Sequence, residues 1–223
     1  MDINEMKKIK NDAELVNAVY SFFDEKSRLN CSNAARVEFT TTVKYIEKYL
    51  KQGMRILDIG AGAGEYSIYF ANKGYKVNAV ELADKNVEDF RKKIADNMEI
   101  NLRQGNALDL SDFEDETFDI VLLFGPLYHL HEENDRNTAI REAKRVLNIA
   151  FINNDMLHYT EWGYNPDYLV SDGMGELLED RINKLDEAGY AQYLKMHLFY
   201  CEKPEHLGKT NHFLFVVKKF CLL

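Results

Sequence analysis

Apolar residues recur with two different spacings along the chain, and the change of spacing separates two regions. Over the first fifty residues they recur three and four positions apart, which is typical of amphipathic helices. Two such sets occur: Leu15, Val16, Val19, Tyr20 and Phe23, and then Val43, Ile46, Tyr49 and Leu50. The pattern predicts an N-terminal helical segment over 1–50, followed by an α/β domain over 51–223.

Short apolar runs alternate with helical patterns from residue 55 onward. The runs predict five strands, at 55–59, 76–82, 100–104, 118–124 and 149–153. Helical patterns lie between them at 66–72, 84–97 and 134–147, and Asp84 is the expected cap of the second helix. This alternation favours a parallel sheet covered on both faces, in which ligands bind at the carboxyl ends of the strands.

The residues after the first predicted strand indicate a nucleoside site. The segment 58–64 reads Asp-Ile-Gly-Ala-Gly-Ala-Gly, and glycines at alternate positions let the backbone approach a ligand closely. A dinucleotide fingerprint has a third glycine where this chain has Glu65. Asp58 would repel a diphosphate, but it would attract an ammonium or a sulfonium group. The loop therefore favours S-adenosylmethionine over NAD.

Two further polar residues follow the next predicted strands. Glu81 ends the second strand, where an acid accepts hydrogen bonds from ribose hydroxyls, and the alternative is a surface carboxylate. Asn106 follows the third strand, where an amide could pair with an adenine edge. The alternative for Asn106 is a purely local turn residue. Taken with the glycine loop, Glu81 is the better supported of the two.

With these positions in place, the chain resembles class I S-adenosylmethionine-dependent methyltransferases of the small-molecule branch. The resemblance covers 55–147, and its general motifs are 56–64, Glu81, 104–107 and 118–121. Three further motifs are typical of a narrower subfamily: Gly125-Pro126-Leu127-Tyr128-His129-Leu130, 201–205 and 211–215. It implies a Rossmann-like, doubly wound, mostly parallel sheet with an antiparallel C-terminal strand and N-terminal helices as a lid. It also implies S-adenosylmethionine as the cofactor and S-adenosylhomocysteine as the product.

The resemblance also implies the roles of individual residues. Residues of the loop surround the methionine part, and others hold the ribose, line the adenine or pass beside the methyl group. The methionine part is surrounded by Asp58, Gly60, Ala61 and Gly62, and the ribose is held by Glu81 with Leu82. The adenine is lined by Asn106 and Ala107, and the methyl group lies beside Phe124 and Gly125. Tyr20 belongs to the aromatic cluster of the lid that is expected to cover the cofactor.

The acceptor should lie near the residues that follow the fourth strand. His129 and Tyr128 are therefore the candidate catalytic residues, because His is the most common general base near neutral pH. The alternative is that both pack beneath the N-terminal helices. Arg36 is expected in a structural ion pair rather than on the methionine carboxylate. The histidines show no metal-ligand spacing, so no metal is predicted.

The composition of the chain limits the classes of partner that we expect it to bind. The chain has 28 Lys and Arg against 37 Asp and Glu, a net charge of −9, which disfavours nucleic acid. No apolar run is long enough to span a membrane. Three distant cysteines predict free thiols and a cytoplasmic protein. We expect a small-molecule acceptor of unidentified structure, and the oligomeric state stays open. The alternatives are a non-catalytic S-adenosylmethionine-binding protein and an NAD-dependent oxidoreductase.

The sequence departs from the family at two places. The predicted helix that ends at Leu147 runs directly into the fifth strand at Ile149, although such connections normally need two to six residues. Between Asn154 and Ser171 there is too little chain for a full crossover. The motifs beside both junctions are intact. We interpret this as two segments that are missing from the sequence, near 148/149 and within 154–171.

Overall fold

The computed structural model divides the chain into two compact units. It describes residues 3–6, 8–23, 25–154, 167–171, 173, 175, 178–203 and 213–218. The first unit comprises 1–26, 51–151 and 218–223, and the second comprises 27–50 and 152–217. The predicted division into a lid over 1–50 and a domain over 51–223 stays a prediction.

A mostly parallel sheet forms the centre of the first unit. Its strands are β1 (Arg55–Ile59), β2 (Lys76–Glu81), β3 (Ile100–Gln104), β4 (Phe118–Leu123) and β5 (Leu147–Asn154), in the order β3-β2-β1-β4-β5. β1 pairs in parallel with β2 on one side and with β4 on the other. The chain order therefore reverses beside β1, and a ligand crevice is expected at the carboxyl ends of β1 and β4.

Helices cover this sheet as the alternating pattern predicts. They are α1 (Ile3–Met6), α2 (Asp12–Phe22), α4 (Glu65–Asn72), α5 (Asp84–Arg91), α6 (Pro126–His129) and α7 (Glu133–Val146). Ala83 is the N-cap of α5, so Asp84 lies in the first turn and not at the cap as predicted. α5 also ends at Arg91, six residues earlier than expected, because the charged segment that follows has no regular apolar face.

Continuous apolar runs become strands because the sheet is buried. In β1 only Arg55 is exposed, and in β4 Phe118 and Ile120 to Leu123 are all buried. A strand that is covered on both faces needs apolar residues at every position, not at alternate ones. This explains why the bounds of β1 agree with the prediction to the residue; those of β3 agree as well, although β3 is partly exposed.

The junction between α7 and β5 is tighter than a usual helix-to-strand connection. α7 ends at Val146 and β5 begins at Leu147, two residues earlier than predicted, so no residue lies between them. The missing segment at 148/149 stays a hypothesis. The second departure, within 154–171, falls mostly on 155–166, which lies outside the described residues.

The second unit combines helices with an antiparallel strand pair. Its elements are α3 (Ala35–Glu47), α8 (Glu179–Ile182), α9 (Glu187–Tyr200), β6 (Asp167–Val170) and β7 (Phe213–Lys218). β6 and β7 pair antiparallel, which confirms the antiparallel C-terminal strand. Its core contains Ala34, Val37, Ile182 and Tyr190. Cys201 is a buried thiol and Cys31 an exposed one.

No helix within the described part of the chain combines the length and the apolar character that crossing a membrane requires.

Gly64 and Gly74 allow a matched test of the packing of Gly64 against the Phe90 ring. Gly64 and Gly74 have φ angles of +86° and +85°, but a Cβ on Gly64 would lie 2.3 Å from the Phe90 ring, whereas a Cβ on Gly74 meets nothing within 4 Å. Gly74→Ala should lower the free energy of unfolding by about 1–2 kcal/mol through backbone strain alone. Gly64→Ala should cost about 1–3 kcal/mol more because the ring must move. Urea denaturation measures both, and equal losses would contradict this packing.

Candidate functional site

The loop between β1 and α4 carries left-handed backbone at alternate residues. Gly60, Gly62 and Gly64 have φ angles of 71°, 55° and 86°, a region that residues with a side chain rarely adopt. The N–H groups of Gly60 and Ala61 donate to the carbonyl of Val80 at 2.8 and 3.2 Å. The loop is thus fixed against the end of β2, and its glycine pattern is a backbone requirement.

The segment after β4 packs directly on this loop. A Cβ on Gly60 would lie 2.5 Å from Cδ of Pro126, and a Cβ on Gly125 would lie 3.4 Å from the carbonyl oxygen of Gly60. Gly60 and Gly125 are therefore neighbours, although sequence analysis placed them in separate motifs. Only glycine at position 60 leaves room for this approach.

Asp58 is a buried carboxylate at the carboxyl end of β1. Its side chain is 2% exposed, and the hydroxyl of Ser67 donates to Oδ2 at 2.7 Å. Burial raises the pKa of Asp58 to about 7, and the negative charge of Glu81 acts in the same direction, whereas the Ser67 hydrogen bond opposes the shift. A cation at this site would favour the ionised carboxylate.

Glu81 is buried as well, so the alternative of a surface carboxylate is wrong. Its Oε2 accepts from the N–H of Gly62 at 2.8 Å, and its Oε1 accepts from the N–H of Ala83 at 2.8 Å and from Nδ2 of Asn86 at 3.3 Å. Burial raises the pKa of Glu81 although these hydrogen bonds oppose it. The carboxylate thus joins the end of β2 to the glycine loop, and Oε2, which accepts one hydrogen bond here, can accept a further one.

The residues after β3 lie beside the end of β2. The N–H of Gly105 donates to the carbonyl of Glu81 at 3.0 Å, and Nε2 of Gln104 donates to the carbonyl of Leu82 at 3.2 Å. Asn106 accepts from the N–H of Leu108 at 3.0 Å through its Oδ1. Asn106 therefore has the local turn role that was its alternative, and its contact with adenine stays a prediction.

The candidate catalytic residues lie in α6, the short helix after β4. Nε2 of His129 is 3.0 Å from Oη of Tyr20, so the structure brings a predicted catalytic residue and a predicted lid residue together. Burial lowers the pKa of His129, the neighbouring His131 lowers it further, and Asp12 opposes the shift. The imidazole is therefore neutral near neutral pH, which is the form that can accept a proton.

Nearby aromatic rings line the same end of the sheet. The rings of Tyr66 and Phe124 meet edge to face, with their centroids 5.0 Å apart. Tyr128 is partly buried in α6 beside His129.

α2 is fixed on both sides of the loop. After β4, Asp12 accepts from the N–H of His131 at 3.0 Å and contacts its Nδ1 at 2.6 Å. After β2, the N–H of Asp84 donates to Oδ1 of Asn17 at 2.9 Å, and Nζ of Lys85 donates to the carbonyl of Phe23 at 3.0 Å. Because β1 lies between β2 and β4 in the sheet, α2 crosses the carboxyl end of β1.

Several residues of the site were not found from the sequence. Ser67 and Asn86 lie on the buried faces of α4 and α5, and a polar residue on an apolar helix face is the signal that could have revealed them. Glu25 follows α2, and its Cγ lies 3.2 Å from the position of a Cβ on Gly62. No local pattern marks Glu25, because its contact depends on the path of α2.

Two other predictions concern Arg36 and metal ions. In the second unit the Arg36 guanidinium lies 5.2 Å from the centre of the Tyr190 ring, a cation–π contact in place of the expected ion pair. Among the residues that the structure describes, no three His, Cys, Asp or Glu side chains converge as metal ligands would. His158, His206 and His212 lie outside them, so the absence of a metal stays a prediction.

Comparison with known sequences finds a family match over the first unit. Residues 57–149 match the methyltransferase domain family. YqeM of Bacillus subtilis (strain 168), which is provisionally named a methyltransferase, is 29% identical over 104 residues that cover 47% of this chain and 42% of YqeM. The ribosomal protein L11 methyltransferase of Dictyoglomus turgidum is 37% identical over 83 residues, 36% of this chain and 26% of that protein. The chain thus matches less than half the length of these relatives.

A solved structure shows the same fold. The PH0226 protein of Pyrococcus horikoshii OT3 superposes with a TM-score of 0.58 and 20% identity, over 91% of this chain and 99% of PH0226. Residues 57–149 are therefore similar to methyltransferase domains, and the first unit has the fold of PH0226 with its parallel sheet and glycine loop.

Proposed function

We propose that this chain transfers a methyl group from S-adenosylmethionine to a small-molecule acceptor. The observation that carries the proposal is the glycine loop between two buried carboxylates, Asp58 at the end of β1 and Glu81 at the end of β2. Burying a carboxylate is costly unless a cation or hydrogen bonds compensate. Glu81 accepts three hydrogen bonds, whereas Asp58 accepts from the hydroxyl and the backbone N–H of Ser67, a neutral residue. A positively charged ligand supplies the missing compensation.

The residues present fit such a ligand. Gly62 presents backbone without a side chain beside Glu81, and Asp58 attracts the cationic methionine part. Oε2 of Glu81 would accept a hydrogen bond from a ribose hydroxyl, with Leu82, Asn106 and Ala107 towards the base. When bound, S-adenosylmethionine supplies an electrophilic methyl group. Phe124 and Gly125 would adjoin this group, because Gly125 packs on Gly60.

His129 and Tyr20 give the site a means to handle the acceptor proton. A neutral imidazole that is hydrogen-bonded to a phenol can accept a proton, and its partner keeps the ring oriented. Acceptors with a hydroxyl or an ammonium group lose a proton on methylation, so this pair suits them. Tyr128, beside His129, is assigned to the same acceptor side of the site.

The net charge favours a small acceptor over a macromolecular one. The charge of −9 repels polyanions on average, and Gly125-Pro126-Leu127-Tyr128 stands where base-modifying enzymes carry an Asn/Asp-Pro-Pro-Tyr motif. A matched relative carries the name of a ribosomal protein methyltransferase, which makes RNA and protein the controls to include. When the protein is incubated with a cell extract and S-adenosylmethionine that carries a radiolabelled methyl group, the label should appear in small metabolites. Label on RNA or ribosomal protein instead would overturn the small-molecule proposal.

Cofactor binding is the first test of the proposal. Titration calorimetry should show binding of S-adenosylmethionine and S-adenosylhomocysteine and none of NAD. Binding of NAD alone would overturn it. Catalysis is then separated from binding by following methyl loss from the donor across a panel of hydroxyl, amine and carboxylate acceptors.

Substituting Gly62 should abolish nucleoside binding while the fold persists. A valine there places its side chain in the cofactor position and against Glu25, in a backbone conformation with φ +55°. Gly53→Val is the matched control, because Gly53 also has positive φ (+85°) but meets nothing within 4 Å. We expect S-adenosylhomocysteine affinity to fall at least about 100-fold in the first variant and less than about threefold in the second. Equal affinities would mean that the loop is not the binding site.

The ionised carboxylate of Asp58 should lower the free energy of unfolding above neutral pH, where the same charge would attract the cationic cofactor. Its pKa of about 7 in the folded protein exceeds the ordinary value, so the folded state holds the proton more tightly. The stability of the folded state is therefore not reduced by Asp58 below about pH 4, where its carboxyl is protonated in both states, and it falls as the pH rises to about 7. Asp58→Asn should therefore be more stable than the wild type at pH 8, by about 2–4 kcal/mol, with little difference at pH 4. Urea unfolding at both values tests this, and a less stable variant at pH 8 would contradict it.

A further inference from the structure

Glu25 lies on the glycine loop although nothing in the family match assigns it a role. It opens the short 3-10 turn Glu25–Ser27 that follows α2. Its Cγ and Oε1 lie 3.2 and 3.5 Å from the position that a Cβ on Gly62 would take. Gly62 thus has a carboxylate on each side, because its N–H donates to Glu81 and its Cα faces Glu25.

Hydrogen bonds of α2 and of Phe23, which follows it, determine the position of Glu25. Phe23, two residues earlier, accepts a hydrogen bond from Nζ of Lys85 at 3.0 Å. Further back, Asn17 accepts from the N–H of Asp84, and Tyr20 contacts His129. The path of α2 across the end of β1 therefore determines where the Glu25 carboxylate lies.

The charges of the two carboxylates interact. The negative charge of Glu25 contributes to the raised pKa of Glu81, after the larger effect of burial. Like charges this close are unfavourable, and a cation beside both would relieve the repulsion. A neutral ligand in the same position would not.

We propose that Glu25 is a specificity residue that favours the positively charged sulfonium of the donor over the neutral thioether of the product. This rests on the proposed function, since it assumes that the loop binds S-adenosylmethionine. Donor and product differ by one methyl group and one positive charge at sulfur. A carboxylate beside that charge, at a partly exposed position, should change the affinity ratio about tenfold.

The test uses three ligands that share the adenosine and the amino acid but differ in charge at the centre. S-adenosylmethionine has a sulfonium, sinefungin has a protonated amine there, and S-adenosylhomocysteine is neutral at sulfur. Calorimetry on Glu25→Gln should show about tenfold weaker binding of the two cationic ligands and less than about twofold change for S-adenosylhomocysteine. Glu14→Gln, at an exposed position of α2, is the matched control and should change none of them.

The outcomes separate this inference from the function on which it rests. Equal loss for all three ligands would mean that Glu25 only supports packing, and no loss would mean that its charge does not reach the ligand; either overturns the inference. If the wild-type protein binds none of the three, the proposed function itself fails. Thermal unfolding of Glu25→Gln confirms that the comparison is made on folded protein.

Discussion

The burial of Asp58 beneath the glycine loop is the interaction on which the site depends. A carboxylate with 2% exposure is costly to ionise, and hydrogen bonds from the hydroxyl and the backbone N–H of Ser67 oppose that cost only in part. The sheet places Glu81 on the adjacent strand, where it increases the cost further. Such an arrangement is unfavourable for the isolated fold and favourable for a cationic ligand, so binding and stability oppose each other at this residue.

The path of α2 is the second constraint. Its hydrogen bonds to residues after β2 and after β4 make it cross the end of β1, above the loop. This crossing brings Tyr20 to His129 and Glu25 to Gly62. Under the proposed function, one helix therefore contributes to orienting the acceptor-side imidazole and to the charge around the donor.

Sequence patterns predicted the centre of the first unit well because β1 and β4 are buried on both faces. The apolar run of β1 ended at the observed residues, and alternate glycines marked the loop. α9 was not predicted, because its apolar residues surround the helix and leave no periodic polar face. Contacts such as Tyr20 with His129 join residues 109 positions apart, and no local pattern encodes them. The individual site assignments stay predictions until a ligand is bound.

Proton release on binding tests the central claim most directly. With a pKa of about 7, Asp58 is about half protonated at pH 7, and a cation beside it should ionise it fully. Calorimetry with S-adenosylmethionine in buffers of different ionisation enthalpy measures the protons exchanged. The wild-type protein should release about half a proton more per site than Asp58→Asn at pH 7. Equal proton exchange in the two proteins, with binding retained in both, would contradict the pairing of Asp58 with the cationic ligand.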